Sequence, residues 1–221
     1  MKDKLNVLYE DNHIIVCEKP INILSQSDIT GDIDMLSVVK SYIKEKYNKP
    51  GNVYIGLVHR LDRPTGGLMV FARTSKAAER LSKQISDHSF KKSYLAVISN
   101  LKEESGTLIN YIKKEDNGNS IITDKSSGKY AELSYETISK KDDLSLVKID
   151  LITGRHHQIR VQFANIGCPL NGDQRYGKED KKQLALYAYH LEFVHPTTKE
   201  SLSFTLYPNY SVFNEFKEVL K

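Results

Sequence analysis

The chain has 221 residues, of which 39% are hydrophobic and 27% are charged, and its formal net charge is +4. This composition is typical of a globular protein with a sizeable core, and no stretch approaches the roughly 20 apolar residues that a membrane helix needs. Two cysteines are too few for a disulfide framework, and the modest positive charge permits a polyanionic partner without requiring one.

The first 20 residues of the chain carry charges throughout. This segment lacks the apolar stretch of a secretory signal, so we expect a cytoplasmic protein that does not enter a membrane. The segment VLYEDNHIIVCEKP predicts two short strands around a turn at Asp11-Asn12, and residues 37–47 have the pattern of a helix. The apolar run GLMVFA then predicts a buried strand, and Thr74 or Ser75 can cap the helix that follows.

The remainder of the chain is predicted to hold more strands than helices. Residues 105–130 are polar and rich in turn formers, so we expect them to be mostly loop. A helix beginning after Thr153-Gly154 is expected to end at Gly167, which suits the left-handed C′ position, and Ser211 is expected to cap a final short helix. Alternating apolar residues predict one further strand at residues 90–99. They also predict two hairpins, at residues 130–153 and 184–208.

These elements together predict the fold class. Hairpins outnumber strand–helix–strand units, which favours a largely antiparallel sheet with helices packed on it, an α+β fold. The sequence contains no repeat, no low-complexity segment and no linker-like stretch. We therefore expect residues 1–221 to form a single domain.

The segment GLVHRLDRPTGGLMV places a single carboxylate, Asp62, between two arginines, Arg60 and Arg63. Because Pro64 disfavours a helical Arg63 and Gly66-Gly67 permit a tight turn, the acid is expected on an irregular loop that leads into a buried strand. A carboxylate beside arginines stays ionised, which makes it a poor general acid and a better nucleophile or electrostatic stabiliser. The alternative is an aspartate–arginine pair that only closes the turn.

A second candidate site lies in the segment TGRHHQIR, which starts at Thr153. It brings Arg155, two adjacent histidines and Arg160 to the beginning of a predicted helix, where backbone amides attract anions. Guanidinium groups suit phosphate because of their forked geometry. The alternative is an ordinary solvated helix start.

Tyr94 is a third candidate, on a predicted strand where Ser93 and Leu95 face the opposite side. A tyrosine in such a position is more often part of the core than a catalytic group. Taken alone, it would not be singled out.

Metal chemistry is not expected from the spacing of the histidines and cysteines. Adjacent histidines on a helix cannot both face one ion, and the HExxH, HxxxH and CxxC spacings are absent. A glycine-rich phosphate loop and a GxSxG nucleophile elbow are absent as well.

Taken together, these stretches resemble the RluA family of RNA pseudouridine synthases. Five segments match the motifs of that family, in the family's order and across nearly the whole chain, which makes the resemblance far more specific than any single motif. They are HRLD with TGGL within residues 59–68, KSYLA at 92–96, GKYA at 128–131, LITGRHHQIR with GCPLNGDQRYG within 151–177, and HLEFVHPTT at 190–198.

The resemblance implies a fold and an activity. The fold would be the pseudouridine synthase fold, an α+β arrangement with a largely antiparallel mixed sheet, packed helices and a central RNA-binding cleft. The activity would be an isomerisation in which uracil is detached from C1′ of the ribose, turned, and rejoined through C5, without a cofactor or a metal. The substrate would be structured RNA, either tRNA or ribosomal RNA. The sequence does not indicate an oligomeric state, so we take a monomer as the default.

Site residues carry over to this chain by motif position. Asp62 would be the essential catalytic aspartate, Arg160 would pair with it and keep it ionised, and Tyr94 would stack against the flipped uracil. The aspartate could attack the sugar, attack the base or abstract a sugar proton, and the sequence leaves these three open. The residues expected to contact RNA are His59, Arg60, Arg63, Lys92, Arg155 and His157.

Two motif positions depart from the family pattern. Gly66 stands where serine is usual and His156 where threonine is common, which bears on the substrate more than on the activity. Many relatives carry an N-terminal RNA-binding domain, and because the catalytic motifs begin early in this sequence we expect no such domain here. The alternative function is an inactive RNA-binding module, against which the intact catalytic set argues, and a sugar hydrolase would need a second motif carboxylate.

Overall fold

A computed structural model describes residues 5–178 and 180–221. The chain divides into two compact units, one of Met1–Phe90 with His190–Leu206 and the other of Lys91–Tyr189 with Tyr207–Lys221. Both units consist mainly of antiparallel strands accompanied by helices, which confirms the predicted α+β class. The single domain over residues 1–221 stays a prediction. In the part of the chain that the structure describes, no helix is long and apolar enough to cross a membrane.

The secondary structure of the described residues is as follows. The strands are β1 (Val7–Glu10), β2 (Ile14–Lys19), β3 (Gly56–Leu57), β4 (Gly66–Ala72), β5 (Lys91–Ser99), β6 (Ser105–Lys114), β7 (Ser120–Thr123), β8 (Lys129–Lys141), β9 (Leu144–Leu151), β10 (Leu186–Val194) and β11 (Ser201–Thr205). The helices are α1 (Met35–Lys46), α2 (Ser75–Ser86) and α3 (Gln158–Asn165), followed by a 3-10 helix at Ser211–Phe216. Of strand β10, the residues from His190 onward belong to the first unit.

The first unit is built on antiparallel strands in the order β1-β2-β4, with β3 also paired to β4. Lys19, at the end of β2, lies opposite Gly67 near the start of β4. All seven residues of β4 are buried, as its continuous apolar sequence predicts. Leu191 and Phe193 of β10 pack into the same core as the apolar residues of β2, β4 and α2.

Both helices of the first unit begin at a side-chain cap. The Asp34 carboxylate accepts a hydrogen bond from the amide of Ser37 at 3.0 Å, ahead of α1. The Thr74 hydroxyl accepts from the amide of Ala77 at 3.1 Å, ahead of α2, so Thr74 rather than Ser75 is the cap. These bonds satisfy amides that a helix start leaves without an internal partner.

The second unit has antiparallel strands in the order β5-β9-β8-β6-β7. Helix α3 packs on this sheet, where its Val161 clusters with Ile112 of β6 and Ala131 of β8. The position of this helix matters for function, because the TGRHHQIR segment runs into it.

Helix α3 ends at the glycine that the sequence predicted. Gly167 has a φ of 77°, in the left-handed region that suits glycine. Its amide donates to the carbonyl of Ala164, and the amide of Cys168 donates to the carbonyl of Phe163, both at 3.0 Å. These two bonds are those of a Schellman motif.

The prediction of a loop over residues 105–130 is wrong, because β6 and β7 occupy much of it. Strand β6 pairs with β8 from Ser105 to Ile112. The burial along β6 alternates between exposed and covered positions, so polar residues are interleaved with apolar ones. The polar half of that alternation made the segment look like a loop.

The end of the chain also differs slightly from the prediction. Ser211 was expected to cap the final helix, but it is the first residue of the 3-10 helix, and Tyr210 occupies the cap position. A difference of one residue at a helix end is common.

Candidate active site

Asp62 lies on a tight turn that leads into β4. The amide of Thr65 donates to the carbonyl of Asp62 at 3.0 Å, which closes the turn over Arg63 and Pro64. The flanking residues Leu61 and Thr65 are buried, whereas Asp62 is half-buried. The turn therefore has a buried base and leaves Asp62 partly accessible.

The buried hydroxyl of Ser25 binds the backbone just before Asp62. Its Oγ donates to the carbonyl of Leu61 at 2.8 Å and accepts from the amide of the same residue at 3.0 Å. Ser25 is 5% exposed. One side chain thus satisfies both backbone groups of Leu61.

The buried Lys19 binds the backbone just after Asp62. Its Nζ donates to three carbonyl oxygens, those of Arg63 (3.1 Å), Ile23 (2.6 Å) and Pro20 (3.1 Å). Lys19 is 0% exposed. Burial lowers the pKa of Lys19 to about 7, although the Asp62 carboxylate acts in the opposite direction.

Both arginines that flank Asp62 are exposed. The guanidinium of Arg63 pairs with the carboxylate of Asp32 at 2.7 Å, and 47% of each side chain is exposed. Sequence reasoning missed Asp32 because it lies in an exposed polar loop outside every motif. Since exposed ion pairs are weak, this one leaves Arg63 able to exchange its partner for a phosphate.

His59 is buried beneath the same segment, with 9% of its surface exposed. Its Nε2 accepts a hydrogen bond from the amide of Val70 at 3.1 Å, and its ring centre lies 5.7 Å from that of Phe90. These contacts join the HRLD segment to β4 and its core. The RNA contact expected of His59 stays a prediction, and the small exposed surface limits its extent.

The TGRHHQ segment is held against β8 by two buried polar side chains, Thr153 and Gln158. The side-chain oxygen of Gln158 accepts from the hydroxyl of Thr153 at 2.8 Å and from the amide of Arg155 at 2.9 Å. The side-chain nitrogen of Gln158 donates to the carbonyl of Glu132 at 3.0 Å. These two motif residues therefore shape the loop that carries Arg155.

Arg155 and His157 lie just ahead of α3, as predicted. Arg155 is exposed, and its Nε donates to the carbonyl of Tyr130 at 2.7 Å. His157 has a φ of 52°, a left-handed conformation that histidine adopts more readily than most residues. Its Nδ1 lies 2.8 Å from the hydroxyl of Tyr176. Their contacts with RNA stay predictions.

Arg160 forms a two-pronged ion pair with Asp173. Its Nε and Nη2 each lie 2.8 Å from a carboxylate oxygen, and the two side chains are 5% and 0% exposed. Burial on its own would raise the pKa of Asp173, but hydrogen bonds from Arg160 and the charge of the guanidinium hold that pKa below its ordinary value. The guanidinium carbon also lies 5.2 Å from the ring centre of Tyr176.

Asp173 was not among the predicted site residues, although it stands in the GDQRYG segment that matched the family pattern. Its place in that motif was the only indication in the sequence that Asp173 matters, and a motif position by itself assigns no role to a residue. The pairing of Arg160 with Asp62 stays a prediction.

Tyr94 and Lys92 lie on β5. Tyr94 is 7% exposed, and the neighbouring Ser93 hydroxyl donates to Asp150 from the opposite face, as strand alternation predicts. Lys92 is partly buried, and desolvation lowers its pKa. A Cβ atom on Gly154 would lie 3.3 Å from the Lys92 nitrogen, so this glycine leaves room for the lysine beside the TGR segment.

The predicted site residues are distributed over both units. In the first unit one turn carries His59, Arg60, Asp62 and Arg63, and in the second unit β5 and the start of α3 carry Lys92, Tyr94, Arg155, His157 and Arg160. Within residues 5–178 and 180–221, no group of three or more His, Cys, Asp or Glu side chains is placed to hold a metal ion.

A family model described as RNA pseudouridylate synthase matches residues 13–165 of the chain. An uncharacterized RNA pseudouridine synthase of Aquifex aeolicus (strain VF5) is 32% identical, over 91% of this chain and 69% of the relative. The ribosomal large subunit pseudouridine synthase D of Zymomonas mobilis is 30% identical, over 90% of this chain and 68% of the relative. The chain therefore spans about two thirds of the length of these curated relatives.

A solved structure has a similar fold. The human RNA pseudouridylate synthase domain containing 4 superimposes with a TM-score of 0.78, over 94% of this chain and 89% of that one. The two sequences are 20% identical, so this likeness concerns the fold alone.

Proposed function

The chain belongs to the RNA pseudouridylate synthase family, whose members are isomerases, and on that premise we propose that it converts uridine to pseudouridine in a structured RNA with Asp62 as the catalytic carboxylate. The proposal rests mainly on where three residues lie in the sequence. Residues 13–165, which the family model matches, include Asp62, Tyr94 and Arg160, the three residues that the sequence motifs described above single out.

The proposed reaction rearranges one nucleotide and needs no co-reactant. The bond between N1 of uracil and C1′ of the ribose breaks, the base turns, and a bond forms between C5 and C1′. The proton on C5 is lost and N1 gains one, so that atoms and electrons balance. What the protein must supply is a placed carboxylate, a pocket for the base and an anchor for the RNA.

Asp62 is the carboxylate in this proposal. Its half-buried position on the turn supports the role, because the group is partly accessible while the backbone around it is fixed. Arg160 would keep Asp62 ionised and oriented, as its motif position implies. The pair with Asp173 holds the Arg160 guanidinium in one orientation.

Tyr94 provides the aromatic surface for the flipped base. Taking a base out of its stack costs a few kcal/mol, and enzymes offset that cost with an aromatic or apolar pocket. The 7% exposure of Tyr94 fits a ring that is mostly enclosed by protein. Its role is thus to contact the uracil rather than the RNA backbone.

The RNA backbone is bound by exposed cations in this proposal. Arg60, Arg63 and Arg155 are exposed and can reach phosphates, whereas Lys92 is partly buried and would act closer to the reacting nucleotide. Arg60 can also fill the gap that the flipped base leaves, because a guanidinium stacks on neighbouring bases. Binding through phosphates weakens steeply as salt is added.

The substrate we propose is ribosomal RNA of the large subunit, with tRNA as the alternative. The support is that a relative 30% identical to this chain is named a ribosomal large subunit pseudouridine synthase. A second candidate function, an inactive RNA-binding module, would not require Asp62, and the experiment below separates it from the enzyme.

The proposal is tested by the release of tritium from C5 of uracil. RNA labelled at that position is prepared from cells that lack the gene, separated into ribosomal RNA and tRNA, and incubated with the wild type and with Asp62→Asn. Asp87→Asn is the matched control, because it makes the same chemical change at an exposed aspartate after α2.

Release by the wild type and by Asp87→Asn, with none from Asp62→Asn, is the expected result. Release from one RNA fraction identifies the substrate class. Turnover by purified Asp62→Asn would remove Asp62 from its role, and binding without release from any fraction would favour the inactive module.

A further inference from the structure

We propose that Ser25 and Lys19 are positioning residues, which aim Asp62 by holding the backbone on both sides of it. This inference rests on the proposed function of Asp62 and adds two residues to it. Neither lies in the HRLD segment, and no sequence motif described above assigns them a role.

The contact on the N-terminal side comes from Ser25. Its hydroxyl both donates to and accepts from the backbone of Leu61, at 2.8 and 3.0 Å, across a separation of 36 residues in sequence. A residue held through its amide and its carbonyl at once cannot rotate either peptide plane freely. Because Ser25 is 5% exposed and Leu61 is 7% exposed, water does not readily replace these bonds.

The contact on the C-terminal side comes from Lys19. Its nitrogen donates to the carbonyl of Arg63 at 3.1 Å and also to the carbonyls of Ile23 and Pro20. When the amine is protonated, its three hydrogens match these three acceptors. A fully buried lysine is rare, because an ammonium group is costly to remove from water.

These two contacts leave Asp62 little backbone freedom. Its neighbours Leu61 and Arg63 are both fixed to the segment between the end of β2 and α1, and its own carbonyl is bound by Thr65. The direction of the carboxylate is then set mainly by its own side-chain torsions. Since a displacement of about 1 Å can cost roughly 100-fold in rate, a device that fixes this backbone acts on catalysis.

The competing explanation is that Ser25 and Lys19 only stabilise the fold. A matched control separates the two explanations. Thr74→Ala removes one hydroxyl that caps α2 in the same unit, and so removes one backbone hydrogen bond away from the Asp62 turn. Both Thr74→Ala and Ser25→Ala should lower the melting temperature, but only Ser25→Ala should disturb Asp62.

The experiment compares the wild type, Ser25→Ala, Lys19→Met and Thr74→Ala below their melting temperatures. For Ser25→Ala we expect kcat to fall roughly 10- to 100-fold and KM to change much less, because the long side chains of Arg60 and Arg63 can still reach phosphates when the turn backbone shifts. Lys19→Met, which keeps the length of the side chain, should act in the same way if it folds. Thr74→Ala should keep the kcat of the wild type. A kcat for Ser25→Ala within about twofold of the wild type would overturn the proposal.

A second readout does not depend on activity. The amide of Leu61 is bound by Ser25, so its hydrogen exchange, followed by NMR, should become faster in Ser25→Ala and stay unchanged in Thr74→Ala. If the wild type isomerises no RNA, the proposed function fails, and the exchange rates still decide whether the contact holds the turn. Equal exchange at Leu61 in Ser25→Ala and the wild type would overturn the positioning role.

Discussion

The guanidinium of Arg160 and the carboxylate of Asp173 are joined by two hydrogen bonds of 2.8 Å, and the aspartate side chain is 0% exposed. The same carboxylate accepts from the amides of Arg175 and Tyr176. The pair therefore ties α3 to the segment that follows it, and it fixes the arginine that we propose for the active site.

Loss of the Asp173 charge should destabilise the protein strongly. In Asp173→Asn the buried guanidinium of Arg160 loses its counter-charge, and breaking a buried pair in this way costs about 3–5 kcal/mol of unfolding free energy. Urea unfolding measures this loss. The control is Asp180→Asn, which breaks the more exposed pair of Asp180 with Lys182 and should cost less than about 1 kcal/mol. Similar losses in the two variants would contradict the expectation.

Lys19 should make stability rise with pH above neutrality. Its pKa is about 7 in the folded protein and 10.5 ordinarily, so between these values the unfolded chain binds more protons than the folded one. Stability increases with pH wherever that holds. The advantage of the wild type over Lys19→Met in unfolding free energy should therefore grow from pH 7 to 10, by up to about 1.4 kcal/mol per pH unit. Below pH 7 the difference in unfolding free energy between the two proteins should level off. A difference that stays constant over the whole pH range would contradict the lowered pKa of Lys19.

Removal of Asp32 should strengthen RNA binding through Arg63. In Asp32→Asn the guanidinium loses its partner at 2.7 Å and becomes available to a phosphate. Affinity should rise by less than about tenfold, and the slope of log K against log salt should become steeper by up to about 1. Filter binding at several salt concentrations gives both values. Asp87→Asn changes the net charge equally, and an identical gain in that variant would point to charge alone.

Two glycines with positive φ should respond differently to alanine. Gly167 has a φ of 77° and open space where a Cβ would stand, so Gly167→Ala carries only the backbone strain, about 1 kcal/mol. Gly172 has a φ of 73°, and a Cβ there would clash with the carbonyl of Gln183. Gly172→Ala should therefore lower the free energy of unfolding by roughly 3 kcal/mol or more. Thermal unfolding compares them, and equal losses would mean that the backbone near Gln183 yields easily.

Much of the fold could be predicted from the sequence because its elements have local signals. The apolar run of β4, the cap at Thr74 and the terminating Gly167 each follow from a rule about neighbouring residues. Strand β6 was missed because one face of it is exposed, which gives it the polarity of a loop. Its assignment depends on pairing with β8, and that partner lies far away in sequence.

The candidate site shows the same division between local and distant information. The motifs indicated Asp62, Tyr94 and Arg160, but not the residues that hold them. Ser25 contacts Leu61 across 36 residues, and Asp173 contacts Arg160 across 13. A serine in a polar loop and an aspartate near a turn have no periodicity that would reveal such partners.

The return of the chain to its first unit affects how the protein is made. Leu191 and Phe193 enter a core whose other buried residues all come from the first 90 residues, and the ring of Phe193 stacks on that of Phe90 at 4.9 Å. During translation the early strands leave the ribosome long before β10 does. Until then, the apolar residues that later contact Leu191 and Phe193 remain uncovered. Such a delay favours transient association with chaperones, because incomplete cores expose aggregation-prone surface. The first unit can therefore reach its final stability only after β10 has been synthesised.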